Sequence, residues 1–268
     1  MLEISKLLVA GDALEDIYLQ GSWSIKNGIK RFKPEIELKY KGGAANTFAN
    51  AQAILGDKAE VLSLMNTNPL KLYRFVSEEP TIEAYLEEAT DTSVSLLATE
   101  GKRVDGIIIS DYNKGTVNNW KVQPYIADWI LVDSRYRSVH SNWLQMAKTK
   151  IWRCTGDEYD AEWAKQFDYI VHTDGGRKIS ICNGEGIILK DFAVPQIEPI
   201  DTCGAGDTFT AMLGAQLLFR EPAPIYWMSK EPIPPEFLMR VYSAMPLCIQ
   251  AAQDVCMKPR TAITDIRL

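Results

Sequence analysis

No apolar run in the chain approaches the roughly 20 residues that a bilayer requires. The longest, such as Gly106 to Ile109 and Met212 to Phe219, are far shorter, so no membrane span is expected. A basic excess is also missing: 29 lysines and arginines stand against 35 acidic residues, a formal net charge of −6. A nucleic-acid surface normally carries the opposite balance with interleaved aromatics, so no nucleic-acid partner is expected. Histidine is scarce, with His140 and His172 alone, and neither has a neighbour at metal-ligand spacing; surface or strand-end roles are read for both. Cys154, Cys182, Cys203, Cys248 and Cys256 are odd in number and include no CxxC pair, which reads as reduced thiols rather than a disulfide framework. The opening Met1 to Gly11 lacks the basic region and apolar core of an export signal. A cytoplasmic protein is expected. The GxxxxGK[ST] phosphate loop, internal repeats and low-complexity tracts are absent as well.

What is present is enough apolar residue, 46% of 268, to build one substantial core, so residues 1–268 are read as a single domain. Lys6 to Ala10 is a short apolar run ended by Gly11-Asp12, as for a fully buried strand meeting a loop. Val104 to Ser110 ends likewise at Asp111, Trp129 to Val132 at Asp133, and Tyr169 to Val171 at His172-Thr173. Helix-length stretches lie between them: Val117 to Asp128, Asn142 to Thr149 and Asp157 to Gln166. Strands alternating with helices predict an α/β fold around a mostly parallel sheet, with ligands beyond the carboxyl ends of the strands. Asp111 and Asp133 are then expected to face one crevice. Two segments break this rhythm. Residues 17–40 alternate around an Asn27-Gly28 hairpin signal, and residues 70–86 alternate again, so a small antiparallel flap or lid is expected from both. The seven tryptophans, at 23, 120, 129, 143, 152, 163 and 227, read as core and amphipathic anchors.

Two helices follow glycine-rich turns. Ala44, Phe48, Ala51 and Leu55 form an apolar stripe after Gly42-Gly43 and before Gly56, and Phe209, Met212, Leu213, Gln216 and Leu217 form another after Gly204. First-turn amides lack intrahelical acceptors and the macrodipole adds positive charge, so anions bind there. A third helical pattern, Pro235 to Val255, contains Pro246, which is expected to kink it. The strongest chemical signal is Asp201-Thr202-Cys203-Gly204-Ala205-Gly206-Asp207. Its glycines let the backbone turn tightly and present successive N–H groups to an anion. Asp207 stands beside that nest, as phosphoryl transfer requires of a base. Taken alone, Asp207 also reads as a helix-start residue and the glycines as a plain turn. A dinucleotide-binding turn fits less well, since the third glycine of GxGxxG is missing.

DTCGAGD closely resembles the C-terminal signature of ribokinase-like (PfkB) carbohydrate kinases, written DTxGAGD. Gly42-Gly43-Ala44-Ala45-Asn46 resembles their N-terminal signature, in the right order. Among such kinases, the chain resembles the kinase domain of the bifunctional ADP-heptose synthase. Gly11 to Tyr18 (GDALEDIY), Pro34-Glu35 and Ser110 to Gly115 (SDYNKG) carry that likeness, which spans Leu7 to about Thr261. It implies a three-layer sandwich with a β-sheet lid, ATP and Mg²⁺ with room for a monovalent cation, a sugar or sugar-phosphate acceptor, and a homodimer through the lid. By the same resemblance Asp207 is the base and Gly204, Ala205 and Gly206 form the anion hole. Asp12, Asp16, Gly42, Gly43, Asn46, Asp111, Lys114 and Arg74 fall on the acceptor side, with Arg135 and Arg137 as further phosphate candidates. Thr173, Gly175, Thr202, Asp133, Ala252 and Cys256 fall on the nucleotide side, and Glu158 near the metal.

Three departures accompany the resemblance. The metal-linked NxxE motif is matched by Thr155-Gly156-Asp157-Glu158, with threonine for asparagine. Gln253, Met257 and Arg260 replace glycines of the purine-side segment, and their bulk is expected to narrow or close the adenine pocket. Finally, only a short stretch separates Gly56 from Leu70, so the fold is expected to be trimmed by about one βα unit.

Overall fold

The computed structural model describes residues 4–66, 68–77, 84–87, 102–117, 125–219 and 236–268. In chain order these form β1 (Ser5–Gly11), β2 (Ala13–Lys26), β3 (Ile29–Gly43), α1 (Ala44–Leu55), β4 (Ala59–Met65), β5 (Leu70–Val76), β6 (Ala84–Glu87), β7 (Lys102–Arg103), β8 (Gly106–Asp111), β9 (Tyr125–Ser134), α2 (Ser141–Leu144), β10 (Ala147–Thr155), α3 (Ala161–Ala164), β11 (Tyr169–Asp174), β12 (Lys178–Asn183), β13 (Ile188–Ala193), α4 (Ala205–Leu218) and α5 (Glu236–Cys256).

The main sheet runs β13-β12-β11-β10-β9-β8-β1-β4, with β7 pairing at the start of β9. Every pair from β11 to β4 is parallel, and β12 and β13 close the other edge antiparallel. Strand β1 lies inside, and Leu7, Leu8, Val9 and Ala10 have no exposed surface, which is why its sequence reads as a continuous apolar run. Alternation sorts these residues by face. Leu7 and Val9 join Ile108, Leu131 and residues of α1, α4 and α5, whereas Leu8 and Ala10 join Ile109, Val132, Trp143 and Trp152. The result is helices packed on both faces, three layers in all.

The second face departs from the helix lengths read in the sequence. Asn142 to Thr149 yields only the one-turn α2 before β10 begins, and Asp157 to Gln166 yields only a 3₁₀ turn and the one-turn α3. Of Val117 to Asp128, residues 118–124 lie outside the described residues, and the remainder from Tyr125 is strand. Large indoles do the covering that longer helices were expected to do. Trp143 and Trp152 are buried and donate to the Val117 and Ser134 carbonyls at 3.1 and 3.3 Å. Trp163 packs edge-on against Trp152 with ring centroids 4.7 Å apart. Trp120 and Trp227 lie outside the described residues.

The lid is a four-stranded sheet, β3-β2-β5-β6. Asn27 and Gly28 both have positive φ, 53° and 75°, as a two-residue hairpin turn of the primed type requires. Trp23, Phe32 and Phe75 cluster on its strands, Phe32 meeting both other rings edge-on. Between β4 and β5, where the sequence is short, the described residues hold no helix. Asn66 instead clamps the lid base, accepting from the Ala13 amide at 2.6 Å and donating to the Ala13 carbonyl at 3.1 Å.

Helix α5 contains Pro246 and begins at Glu236, Pro235 lying outside the described residues. The chain then returns to α1: the Thr264 amide donates to the Asn50 side chain at 2.9 Å and the Leu268 amide to the Ile54 carbonyl at 3.1 Å. Among the described residues no helix is long and apolar enough to cross a membrane, and all five cysteines are free thiols.

Candidate active site

Helix α4 starts immediately after Gly204, whose φ of +80° suits glycine. A Cβ there would sit 2.7 Å from Asn46 Nδ2 and 3.0 Å from Thr261 Cγ2, so glycine is also required by the closeness of α1 and the C-terminal segment. Asp207, in the first turn, is only 5% exposed. Asn46 Nδ2 donates to its Oδ2 at 2.9 Å, and Tyr112 Oη and Thr47 Oγ1 donate to its Oδ1 at 3.0 and 3.4 Å. Burial pushes the Asp207 carboxyl up to about 7, with the Asp133 charge acting in the same direction; the hydrogen bonds from Asn46 and Tyr112 and the Arg153 guanidinium restrain the rise. The Tyr112 phenol is held far above its ordinary value by burial and by Asp207, so it stays a proton donor.

On one side of Asp207 the lid base converges. Arg74, from β5, reaches Asp16 Oδ1 with Nε at 2.9 Å and Nη2 at 2.8 Å, and Thr261 Oγ1 donates to Asp16 Oδ2 at 3.3 Å. Gly42 is where a Cβ would approach that carboxylate to 2.6 Å, and Gly43, at φ +55°, is where one would strike the Asp12 carbonyl at 2.5 Å. Asp16, Gly42 and Arg74 are therefore neighbours, while Gly43 packs on Asp12 and Asn46 on Asp207.

Asp12 and Asp111 differ from the sequence reading. The buried Asp12 carboxylate accepts from the backbone amides of Tyr112, Lys114 and Thr116 at 2.9, 3.0 and 3.1 Å, which fixes the loop after β8. Asp111 accepts from Asn113 N, Ser134 Oγ and Ser138 Oγ at 2.9, 2.6 and 2.5 Å. Both organise the loop that carries Tyr112 and Lys114. Asp111 and Asp133 do not share a crevice either. Asp111 is in register with Ser134, and Asp133 with Ser110, so strand alternation sends the two carboxylates to opposite faces. Arg135 and Arg137 turn toward the 3₁₀ segment, Arg135 Nε lying 3.9 Å from Glu158 and Arg137 Nη1 donating to the Glu158 carbonyl at 3.1 Å.

Beside the first residues of α4 opens a cavity of about 440 Å³ lined by Thr155, Thr173, Gly175, Thr202, Ala205, Gly206, Ala252 and Cys256, among others. The expected closure by bulky replacements does not occur. Gln253 lines the cavity and donates to the Pro195 carbonyl at 2.6 Å, Met257 is 49% exposed, and Arg260 stacks over Tyr18. Glu158 uses Oε2 to accept from the Thr155 amide at 2.7 Å in a capping box. Among the described residues no three His, Cys, Asp or Glu side chains gather as a metal would need, so the side chains present form no direct cage for Mg²⁺.

The chain matches no family model and no curated protein by sequence. Solved structures do match. A ribokinase from Thermotoga maritima superposes with a TM-score of 0.63 at 12% identity, over 98% of this chain and 97% of its own. The fold is that of ribokinase. A Methanocaldococcus jannaschii nucleoside kinase of the ribokinase family gives 0.60 at 13% identity over 98% and 95% of the two chains. An Arabidopsis thaliana ribokinase complexed with ribose and ATP gives 0.56 at 14% over 97% and 95%.

Within this ribokinase fold the sequence reading missed three groups at the site. Tyr112 was visible only as part of a resembling stretch, and nothing marked its hydroxyl as a partner of Asp207. Thr261 reaches Asp16 across a sequence separation of 245 residues, beyond any local signal. Arg153 sits inside a strand, where its Nη1 meets both oxygens of Asp133 at 3.1 and 3.3 Å and Nη2 meets Thr173 Oγ1 at 3.2 Å. The signal for Arg153 was a charge in an otherwise buried strand, since such groups are rarely buried without a partner.

Proposed function

We propose that the protein is an ATP-dependent phosphotransferase whose acceptor is a hydroxyl of a sugar or sugar phosphate, with Asp207 as general base and the Gly204-Ala205-Gly206 amides as the anion hole. The observation that carries this reading is the position of Asp207. Its buried carboxyl is bonded by Asn46 of α1, and Gly206, the residue before it, lines the cavity. A hydroxyl held by the first group loses its proton to Asp207, while a triphosphate in the second presents its terminal phosphate to the turn. Thr173, Gly175, Thr202, Ala252 and Cys256 would hold the nucleotide. Asp16 and Asn46 provide the acceptors and donors that paired sugar hydroxyls need.

An anionic acceptor of the heptose 7-phosphate kind is supported by two guanidinium groups on one ring. Arg74 and Arg260 lie 5.7 and 5.4 Å from the Tyr18 centroid, concentrating positive charge beside Asp16. Self-association through the lid belongs to the same reading, supported by the exposed Ile25, Ile29 and Ile36 on its strands. The test is a coupled assay for ADP release from Mg·ATP with ribose, nucleosides and heptose 7-phosphates as acceptors. Acceptor-dependent ADP is expected, and Asp207→Asn is expected to lower it about 10²- to 10⁴-fold. A near-normal Asp207→Asn enzyme removes the base from its role; release with nucleosides alone replaces the sugar acceptor by a nucleoside.

A further inference from the structure

We propose that Arg153 is a catalytic residue that grips the triphosphate at the junction of the Gly204-Gly206 turn and the cavity, held in aim by Asp133, Thr173 and Thr210. The proposal rests on the kinase reading above and assigns a group that no motif in the sequence pointed to.

Three observations carry it. First, the guanidinium is part of the cavity wall and also touches the turn: a Cβ at Gly206 would lie 3.1 Å from Arg153 Nη1 and 3.2 Å from Nη2. The Ala205 amide donates to the Thr202 carbonyl at 3.3 Å, so an anion accepting from the Gly206 amide is the one within reach of the same fork. Secondly, the group is held on rails. Nη1 meets Asp133, whose Oδ2 also accepts from Thr210 Oγ1 of α4 at 2.6 Å, while Nη2 meets Thr173, itself 2.8 Å from Thr155 Oγ1. Strands β9, β10 and β11 and helix α4 all fix it, which is the preorganisation that makes a charge effective in transfer. Thirdly, its donors are not exhausted. A guanidinium has five N–H groups; among the described residues Nε has no partner, and the contacts to Asp133 and Thr173 come only from Nη1 and Nη2. Planar forks of this kind match phosphate oxygens two at a time.

The chemistry balances without a further reactant. The acceptor oxygen forms a bond to the terminal phosphorus, its proton passes to the Asp207 carboxylate, and the bond from that phosphorus to the bridging oxygen breaks. The electron pair stays on the departing diphosphate. Negative charge therefore grows on oxygens at the junction, where Arg153 stands. Asp133 is a positioning residue here, acting through Arg153.

The experiment measures ATP and adenosine affinities of the full chain by calorimetry, alongside kcat, for the wild type, Arg153→Gln, Arg153→Lys and the double variant Asp133→Asn with Arg153→Gln. The double variant removes both charges of the buried pair and guards against loss of folding by a stranded carboxylate. Expected are unchanged adenosine binding, at least tenfold weaker ATP binding and kcat lower by about 10²- to 10³-fold in both glutamine variants, with lysine restoring part of each. Wild-type ATP affinity and kcat in the double variant, with adenosine binding intact, would overturn the role of Arg153 and leave the kinase reading standing. A wild-type protein that binds neither ligand would overturn both.

Discussion

Asp207 keeps its proton at pH values where exposed aspartates have long lost theirs, because burial disfavours the carboxylate more than three hydrogen-bond donors favour it. Two pH effects of opposite sign follow. As a base Asp207 must be ionised, so kcat/KM is expected to rise as pH increases toward about 7 and level off above it. Stability moves the other way. Between the unfolded aspartate value near 4 and the folded value near 7, the folded state holds a proton the unfolded state has released. Unfolding free energy therefore falls as pH rises across that window. Thermal midpoints recorded from pH 5 to pH 8 are expected to show the decline in the wild type and to lose this part of it in Asp207→Asn. Parallel curves for the two proteins would place the titration elsewhere. Asp207 was legible in the sequence as a candidate base because the turn that carries it is local. Its tuning was not, since Asn46, Tyr112 and Asp133 come from three distant parts of the chain.

At the scale of elements, what could be read ahead depended on period and punctuation. The apolar runs of β1, β8, β9 and β11, the Asn27-Gly28 hairpin, and helices α1 and α4 behind their glycines all carried local signals, and all are present. The helices expected between β9, β10 and β11 were misread because Trp143 and Trp163 mimic the spacing of an amphipathic helix while anchoring single turns. Asp111 and Asp133 were misread for a different reason: both end buried strands, but sheet register alone decides the face each one takes. One element contact has a measurable worth. Arg74 on β5 and Asp16 on β2 are 20% and 5% exposed in their side chains, so Arg74→Met strands a buried carboxylate and is expected to destabilise the protein by about 3 kcal/mol. Adding Asp16→Asn should recover most of that in denaturant titrations. An additive double variant would mean that the pair does not couple the two strands.

Across the whole molecule, the cavity beside α4 links the main sheet to α5, so a ligand filling it ties together elements far apart in the chain. Adenine and phosphate contacts made only by the folded state raise its stability by mass action. At 100 times its dissociation constant ATP is expected to add about 2.7 kcal/mol, or roughly 5–10 °C in the thermal midpoint of a chain this size. A midpoint that stays flat under rising ATP would show that the folded chain does not bind the nucleotide. The openness of this space was not legible beforehand. The replacement side chains looked obstructive in sequence, but Gln253 lies in the cavity wall bonded to Pro195, and Arg260 lies over the Tyr18 ring.

The final turn of the chain reaches further than its position at the edge implies. Thr264 holds Asn50, Asn50 Nδ2 holds the side-chain oxygen of Asn46 at 3.1 Å, and Asn46 holds Asp207. The same segment is anchored to the core, with Thr264 fully buried and Ile266 and Leu268 packed against it, so loosening it would disturb the proposed base and the fold together.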